Sequence, residues 1–208
     1  MAKFEVCCHK WADLSEHGYG VSVLNDSKYG FATAGNVMRL SLLRAPKAPD
    51  AHADMGRHFV KWAILPHQGA LGERTVRAGF EFNYPLRVHS HPEPEVVEEF
   101  MEAFKFKEGS SPGLIVDAVK RGEDDEDVAH DGNRVGGKKG KGKHVVIRVY
   151  DSLGGLGRGT IGLGPVKVSK AWKCNVLEDE EEELEVGKQG LEVEVRAFEV
   201  ATYKLLLA

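Results

Sequence analysis

The chain has 208 residues, 42% of them hydrophobic and 29% charged, a composition that excludes wholesale disorder and a length that lets it bury its own core. Its apolar runs fall far short of the roughly 20 residues a membrane helix needs. With 28 Lys and Arg against 32 Asp and Glu, the formal net charge of -4 gives no global electrostatic case for nucleic acid.

The N-terminus, Met1 to Val6, has no apolar signal core and reads straight into a strand. Adjacent Cys7 and Cys8 point to opposite faces of a strand, so with Cys174 they read as free thiols of a reducing compartment. Short runs of period-two alternation follow, bounded by Gly, Asn, Asp and Pro. Tyr19, Val21 and Val23 share one face, and Gly20, Ser22 and Leu24 the other. Asn25-Asp26-Ser27-Lys28-Tyr29-Gly30 is a polar turn. Residues 31–34 return as a short strand, and 37–43 alternate with Met38, Leu40 and Leu42 on one side. Pro46 and Pro49 make 44–50 a loop. Residues 59–65 and 76–84 read as two further strands with aromatics.

The middle changes character. Val96, Val97, Phe100, Met101 and Phe104 have helical spacing, then Phe104-Lys105-Phe106 alternates like a strand. Residues 114–119 form a strand. An acidic block at 121–127 and a Gly/Lys block at 136–143 predict a solvated, mobile loop over 124–143. Strands resume at 144–150, 159–163, 166–175, 191–196 and 198–207, with an acidic turn at 178–185. No fixed repeat is visible, and about a dozen short strands predict an all-β, antiparallel β-sandwich.

Most motifs do not survive their context. Gly157-Arg158-Gly159-Thr160-Ile161-Gly162 has dinucleotide-fingerprint spacing, but Leu163-Gly164-Pro165 cannot open the helix that chemistry needs. Gly137 to Lys143 has phosphate-loop spacing up to the lysine, but His144 stands where Ser or Thr is required. His89 and His91 would share one side of a strand, yet Pro92 follows and no Cys or carboxylate stands at settled spacing, so a surface loop is the plainer reading.

Longer segments carry more. They are His9-Lys10-Trp11-Ala12-Asp13-Leu14-Ser15-Glu16 with Gly18-Tyr19-Gly20-Val21-Ser22; Leu24-Asn25-Asp26-Ser27-Lys28-Tyr29-Gly30; and the run from Gly35 through Arg39 and Pro46 to Asp50, continuing to Gly56. Further along come Asp117 to Asp125, Arg148 to Gly155, Asn175 to Glu180 and Phe198-Glu199-Val200. Together they closely resemble the C-terminal β-domain of glycoside hydrolase family 38 α-mannosidases, nearest the cytosolic and vacuolar class. Val60, Trp62 and Cys8 depart from the pattern, and residues 93–112 and the Gly/Lys block match poorly.

The resemblance implies a mutarotase-like β-supersandwich over residues 1–208, truncated at its N-terminus, with the Met38/Leu40/Leu42 and Ile147/Val149 faces buried. It implies a retaining α-mannosidase as parent, whose catalytic domain holds the nucleophile and a divalent metal, zinc or cobalt. No catalytic residue or metal ligand is assigned to this chain, which is expected to be inactive alone. The expected partners are that catalytic domain, an α-mannoside oligosaccharide and other copies of the chain. No membrane or nucleic acid is expected, and the location is cytoplasmic or vacuolar. Uncovered apolar surface predicts self-association. Asn25, Asp26, Lys28 and Tyr29 are the candidate residues of a substrate rim, because a polar turn between strong strands is how a rigid scaffold reaches a site. The alternative is a stand-alone carbohydrate-binding sandwich stacking sugar on Trp11, Trp62 or Tyr29.

Overall fold

The computed structural model describes residues 4–88, 90, 103–125 and 142–208. The chain forms two compact units, Met1–Val88 and His89–Ala208. The candidate metal pair His89 and His91, the helical spacing at 96–102 and residues 126–141 of the predicted mobile loop lie outside the described residues.

The first unit contains β1 (Val6–Cys7), β2 (Trp11–Ser15), β3 (Tyr19–Asn25), β4 (Gly30–Ala34), β5 (Val37–Leu40), β6 (Trp62–Gln68) and helix α1 (Glu73–Asn83). One antiparallel sheet runs β2-β3-β6 and another β1-β4-β5. In the first sheet Asp13 pairs with Ser22, Ser22 with Leu65, and Gly20 with His67. This row shares the face covered by α1, where Thr75 meets Ser22 and Gly79 lies against Trp11. A β-carbon on Gly79 would stand 2.6 Å from the Trp11 ring, so glycine is what lets helix and sheet approach. The opposite face presents Ala12, Leu14, Val21 and Val23 together with Trp62, Ile64 and Pro66, none of them charged.

Of residues 76–84, read as a strand from sequence, 76–83 are helical and Tyr84 caps the helix. The alternation of Phe80, Phe82 and Tyr84 is real, but the buried positions are Thr75, Val76 and Gly79, which fit a helical face and not a pleat. Glu73 in the first turn complements the helix dipole. The last turn has no basic residue of its own; Lys61 supplies one, donating from Nζ to the Phe82 carbonyl at 2.8 Å. The strand expected at 59–65 begins later, at Trp62. Met38 and Leu40 are half-buried, whereas Leu42 falls beyond β5 and is exposed, so that predicted face is shorter than its alternation suggested.

The second unit contains β7 (Leu114–Arg121), β8 (His144–Asp151), β9 (Gly157–Ile161), β10 (Val168–Cys174), β11 (Glu180–Leu184), β12 (Val186–Gly187), β13 (Gly190–Val195) and β14 (Val200–Leu207). A five-stranded antiparallel sheet, β11-β10-β14-β8-β7, faces a three-stranded one, β12-β13-β9. Ile147, Val149 and Tyr203 from one meet Ile161, Leu191 and Val195 from the other in a shared core. This is a β-sandwich, built from the alternating inward positions of both layers. The Ile147/Val149 face is buried as its pattern predicts.

The acidic run at 178–185, read as a turn, contains an edge strand instead. Glu180–Leu184 pairs with β10, and Lys170 meets Glu183 across the ladder at 3.2 Å. Like charges on an outermost strand tolerate solvent on their free side and discourage further pairing. The glycine-rich segment at 157–162 forms β9. A β-carbon on Gly157 would lie 2.5 Å from Leu114, so this glycine serves close packing. Of Phe104-Lys105-Phe106, only Phe106 joins a ladder, through a single bridge to Ile161.

Candidate functional site

The turn after β3 takes its shape from Asn25. That side chain is buried, and its Oδ1 accepts the Lys28 N–H at 3.1 Å while its Nδ2 donates to the Cys8 sulfur at 3.5 Å. Its backbone carbonyl accepts from Asn83 Nδ2 at 2.9 Å, which ties the turn to the end of α1. Ser27 sits at φ +64° and reverses the chain. Asn25 is therefore committed to architecture, whereas its neighbours face outward. Asp26 receives the Ser27 hydroxyl at 3.1 Å and stands 3.8 Å from Lys61 Nζ. Lys28 is half-buried. Tyr29, 49% exposed, packs its ring against His9 with centroids 4.7 Å apart.

More aromatic and cationic groups gather at this end of the unit than the sequence showed. Lys10 Nζ lies over the rings of Phe80 and Tyr84, and Lys61 Nζ over Phe82. Trp62, 52% exposed, is the cross-strand partner of Asn25. Trp11 is packed under α1. Of the three proposed stacking aromatics, Tyr29 and Trp62 are exposed and Trp11 is half-buried.

A second polar group lies under α1. His67 Nε2 donates to Asp13 Oδ2 at 2.6 Å, and the Ser22 hydroxyl donates to the same oxygen at 2.6 Å. Having spent its proton, Ser22 accepts from Thr75 Oγ1 at 2.7 Å. Burial alone would raise the Asp13 pKa, but hydrogen bonds from Ser22, Ser15 and His67 outweigh it and hold the carboxyl below its usual range. The residue types match a hydrolase triad, but the order does not. The serine hydroxyl bonds the carboxylate and not the imidazole, so no base stands ready to take its proton. The group is a buried hydrogen-bond network.

In the second unit the segments at 117–125 and 175–180 meet over the outer face of the five-stranded sheet. Lys204 Nζ, buried, donates to Asp124 Oδ2 at 2.6 Å and Glu180 Oε1 at 2.9 Å. Lys120 Nζ reaches Glu123 and Glu178, each at 2.7 Å, and Glu178 Oε2 accepts the Glu123 N–H at 2.8 Å. Asp125 accepts the His144 N–H at 2.8 Å. Asp124 and Asp125, the first residues of the predicted loop, are thus held by the sheet. In the segment at 148–155, Asp151 is buried and its Oδ2 accepts the N–H groups of Gly154, Gly155 and Phe198 at 2.6, 3.1 and 3.2 Å. Each of these distinctive segments owes its residue types to structure.

A cleft of about 830 Å³ lies beside β9 and β13, where Arg158 pairs with Glu194 at 2.8 Å and Lys173 with Glu199 at 3.7 Å. Its lining carries three cationic and four anionic side chains. Among the described residues no three His, Cys, Asp or Glu side chains gather as a metal site.

Residues 1–52 match the glycosyl hydrolases family 38 C-terminal domain, and residues 137–203 match the glycosyl hydrolases family 38 C-terminal beta sandwich domain. The chain is 41% identical to an alpha-mannosidase of Saccharomyces cerevisiae over 214 residues, covering 99% of this chain and 19% of the relative. It is 34% identical to alpha-mannosidase 2C1 of Homo sapiens over 209 residues, and 33% identical to alpha-mannosidase G of Dictyostelium discoideum over 208; each match covers 99% of this chain and 18% of the relative. The chain spans about a fifth of the length of these curated relatives.

Proposed function

The chain belongs to the family 38 glycosyl hydrolases, as part of their C-terminal region, and from that membership we propose that it is the structural and carbohydrate-contacting C-terminal portion of an α-mannosidase. The observation that carries this reading is the match of α-mannosidases to 99% of the chain. The parent enzyme would remove terminal α-mannose residues from oligosaccharides in catabolism. Its catalytic domain would hold the nucleophile and the zinc or cobalt, and this chain alone would be inactive. Retaining hydrolysis needs two carboxyl groups about 5 Å apart across a bound sugar, one of them free to attack. The three free cysteines suit the cytoplasmic or vacuolar location of that class.

At the rim, Asp26 would accept hydrogen bonds from sugar hydroxyls while Lys28 and Tyr29 close over the ring and Asn25 holds the turn in shape. The accessibility of Asp26 and Tyr29 supports this assignment. In a full-length α-mannosidase carrying this region, Asp26→Ala or Lys28→Ala should lower kcat/KM on an aryl α-mannoside tenfold or more, about 1.4 kcal/mol, at unchanged Tm. Unchanged kinetics, or a loss of activity that tracks a loss of stability, would return the turn to architecture.

The exposure of Tyr29 and Trp62 also favours a second reading, sugar binding by the chain on its own. Titration calorimetry of the isolated chain with an α-linked mannobiose separates the two. Heat that disappears in Tyr29→Ala or Trp62→Ala supports autonomous binding, and no heat supports the purely enzyme-bound role.

A further inference from the structure

We propose that one open end of the second unit's sandwich is a binding site for a small amphipathic acid, a carboxylate carrying an apolar chain. The proposal stands apart from the α-mannosidase reading and does not rest on it.

A cleft of about 690 Å³ opens where β9 ends and where β10 and β13 begin. Both layers build it. Val168 comes from the five-stranded sheet, and Val186 and Gly190 come from the three-stranded one. Leu163 and Phe106 add to the wall, Phe106 being held by its bridge to Ile161. Phe106, Leu163, Val168 and Val186 are half-buried and pack inward on the core, so the floor of the cleft is an edge of the core left open. Glycine keeps it open. Gly190 sits at φ +135°, and a β-carbon there would stand 2.1 Å from the Ile161 carbonyl oxygen, so no side chain can stand at that point of the wall.

The mouth has a different character. Lys105, Lys107 and Lys188 are exposed in the lining, against one acid, Glu108. Among the described residues neither Lys107 nor Lys188 belongs to an ion pair. Both rise from hydrogen-bonded backbone. The Lys107 N–H donates to the Thr160 carbonyl at 2.9 Å, and Lys188 lies in the turn closed by the pairing of Gly187 with Gly190. Two ammonium groups from separate segments therefore converge over an apolar floor.

This order selects a ligand whose chain goes in and whose charge stays out. The volume falls in the range of small-molecule sites, roughly 300–1,000 Å³. The chain would displace water from the aliphatic wall, and the carboxylate would accept hydrogen bonds from the lysines. A sugar would press hydroxyls against the apolar floor without partners, and a bare inorganic anion would leave that floor wet.

The test is calorimetric titration of the folded chain with octanoate at low salt. One octanoate should bind per chain, with affinity rising about fourfold per added methylene from hexanoate to octanoate. Octylammonium should bind far more weakly. Lys107→Glu with Lys188→Glu should weaken octanoate about tenfold or more and leave 1-octanol unchanged. Val186→Trp fills the cleft and should weaken the acid and the alcohol alike, with circular dichroism checking that the fold is kept. Ile64→Lys, on the apolar sheet of the first unit, should change nothing. No saturable heat, octylammonium binding as tightly as octanoate, or binding that is lost in Ile64→Lys and kept in the double lysine variant would each overturn the proposal.

Discussion

His67 reaches Asp13 by passing directly over Gly20. The two residues face each other across the β3–β6 ladder, and a β-carbon on Gly20 would stand 2.6 Å from His67 Nε2 and from the Ser15 β-carbon. The glycine is required by this close approach alone. Gly20→Ala should force the imidazole off Asp13 and destabilise the first unit by about 2 kcal/mol, through overpacking and a broken hydrogen bond. A urea-unfolding midpoint equal to that of the wild type would show that the ring has room to move.

Asp13 carries the pH dependence of the same network. A carboxyl whose pKa is lowered on folding contributes stability that is complete above its unfolded value, near 4, and is lost as pH falls through the folded value. The first unit should therefore lose stability in acid below about pH 4. Asp13→Asn keeps the shape and should flatten that acid limb. Asp13→Ala leaves His67 and Ser22 without their buried acceptor and should cost roughly 3 kcal/mol at pH 7. Melting curves between pH 3 and pH 7 check both, and an unchanged acid limb in Asp13→Asn would assign it elsewhere.

Asp13 and His67 are 54 positions apart, and no local signal joins them. The strands were legible because one buried face imposes alternation, as in Ile147 and Val149. Where that condition lapses, so does the reading. In α1 two of the three buried positions are small or polar, Thr75 and Gly79 beside Val76, while the large aromatics lie nearer solvent and alternate. In β11 four glutamates mask a strand that needs burial on neither side of its edge. The candidate turn at 25–30 was legible as a turn because Asn25 does what asparagine does before a reversal. That Lys61, Trp62 and Tyr84 stand at the same end is a product of sheet order and helix return.

The second unit should respond to pH in the opposite sense. Burial opposes the charge on Lys204, but its hydrogen bonds to Asp124 and Glu180 outweigh this and raise its pKa. Burial raises the Cys174 thiol to about 11. A group whose folded pKa is raised stabilises fully below its unfolded value and loses that contribution as pH rises through the folded one. Stability should therefore fall from about pH 9 upward, first through Cys174 and then through Lys204, by up to about 1.4 kcal/mol per pH unit for each group. Cys174→Ala should remove the part between pH 9 and pH 11. Lys204→Ala should be strongly destabilising already at pH 7, because Asp124 and Glu180 lose the cation they share. A pH-independent urea midpoint from 8 to 11 would contradict the assignment.

The uncharged face of the β2-β3-β6 sheet makes a prediction about the chain in solution. Ile64 is 59% exposed and Trp62 is 52% exposed, and they flank Val21 and Val23 with no charge among them. A patch of this kind lowers its free energy by meeting a second apolar surface, and isolated chains supply one another with it. The wild-type chain should bind an apolar fluorescent dye and show species larger than a monomer by light scattering at micromolar concentration. Ile64→Lys places a charge at the centre of the patch while giving up little buried area. It should reduce dye binding and shift the distribution toward monomer, with Tm held within a few degrees. Charge on the outer strand of an open sheet is how natural proteins suppress such contacts. A wild-type chain that is monodisperse and monomeric, without dye enhancement, would show that this face is too small or too divided to drive association.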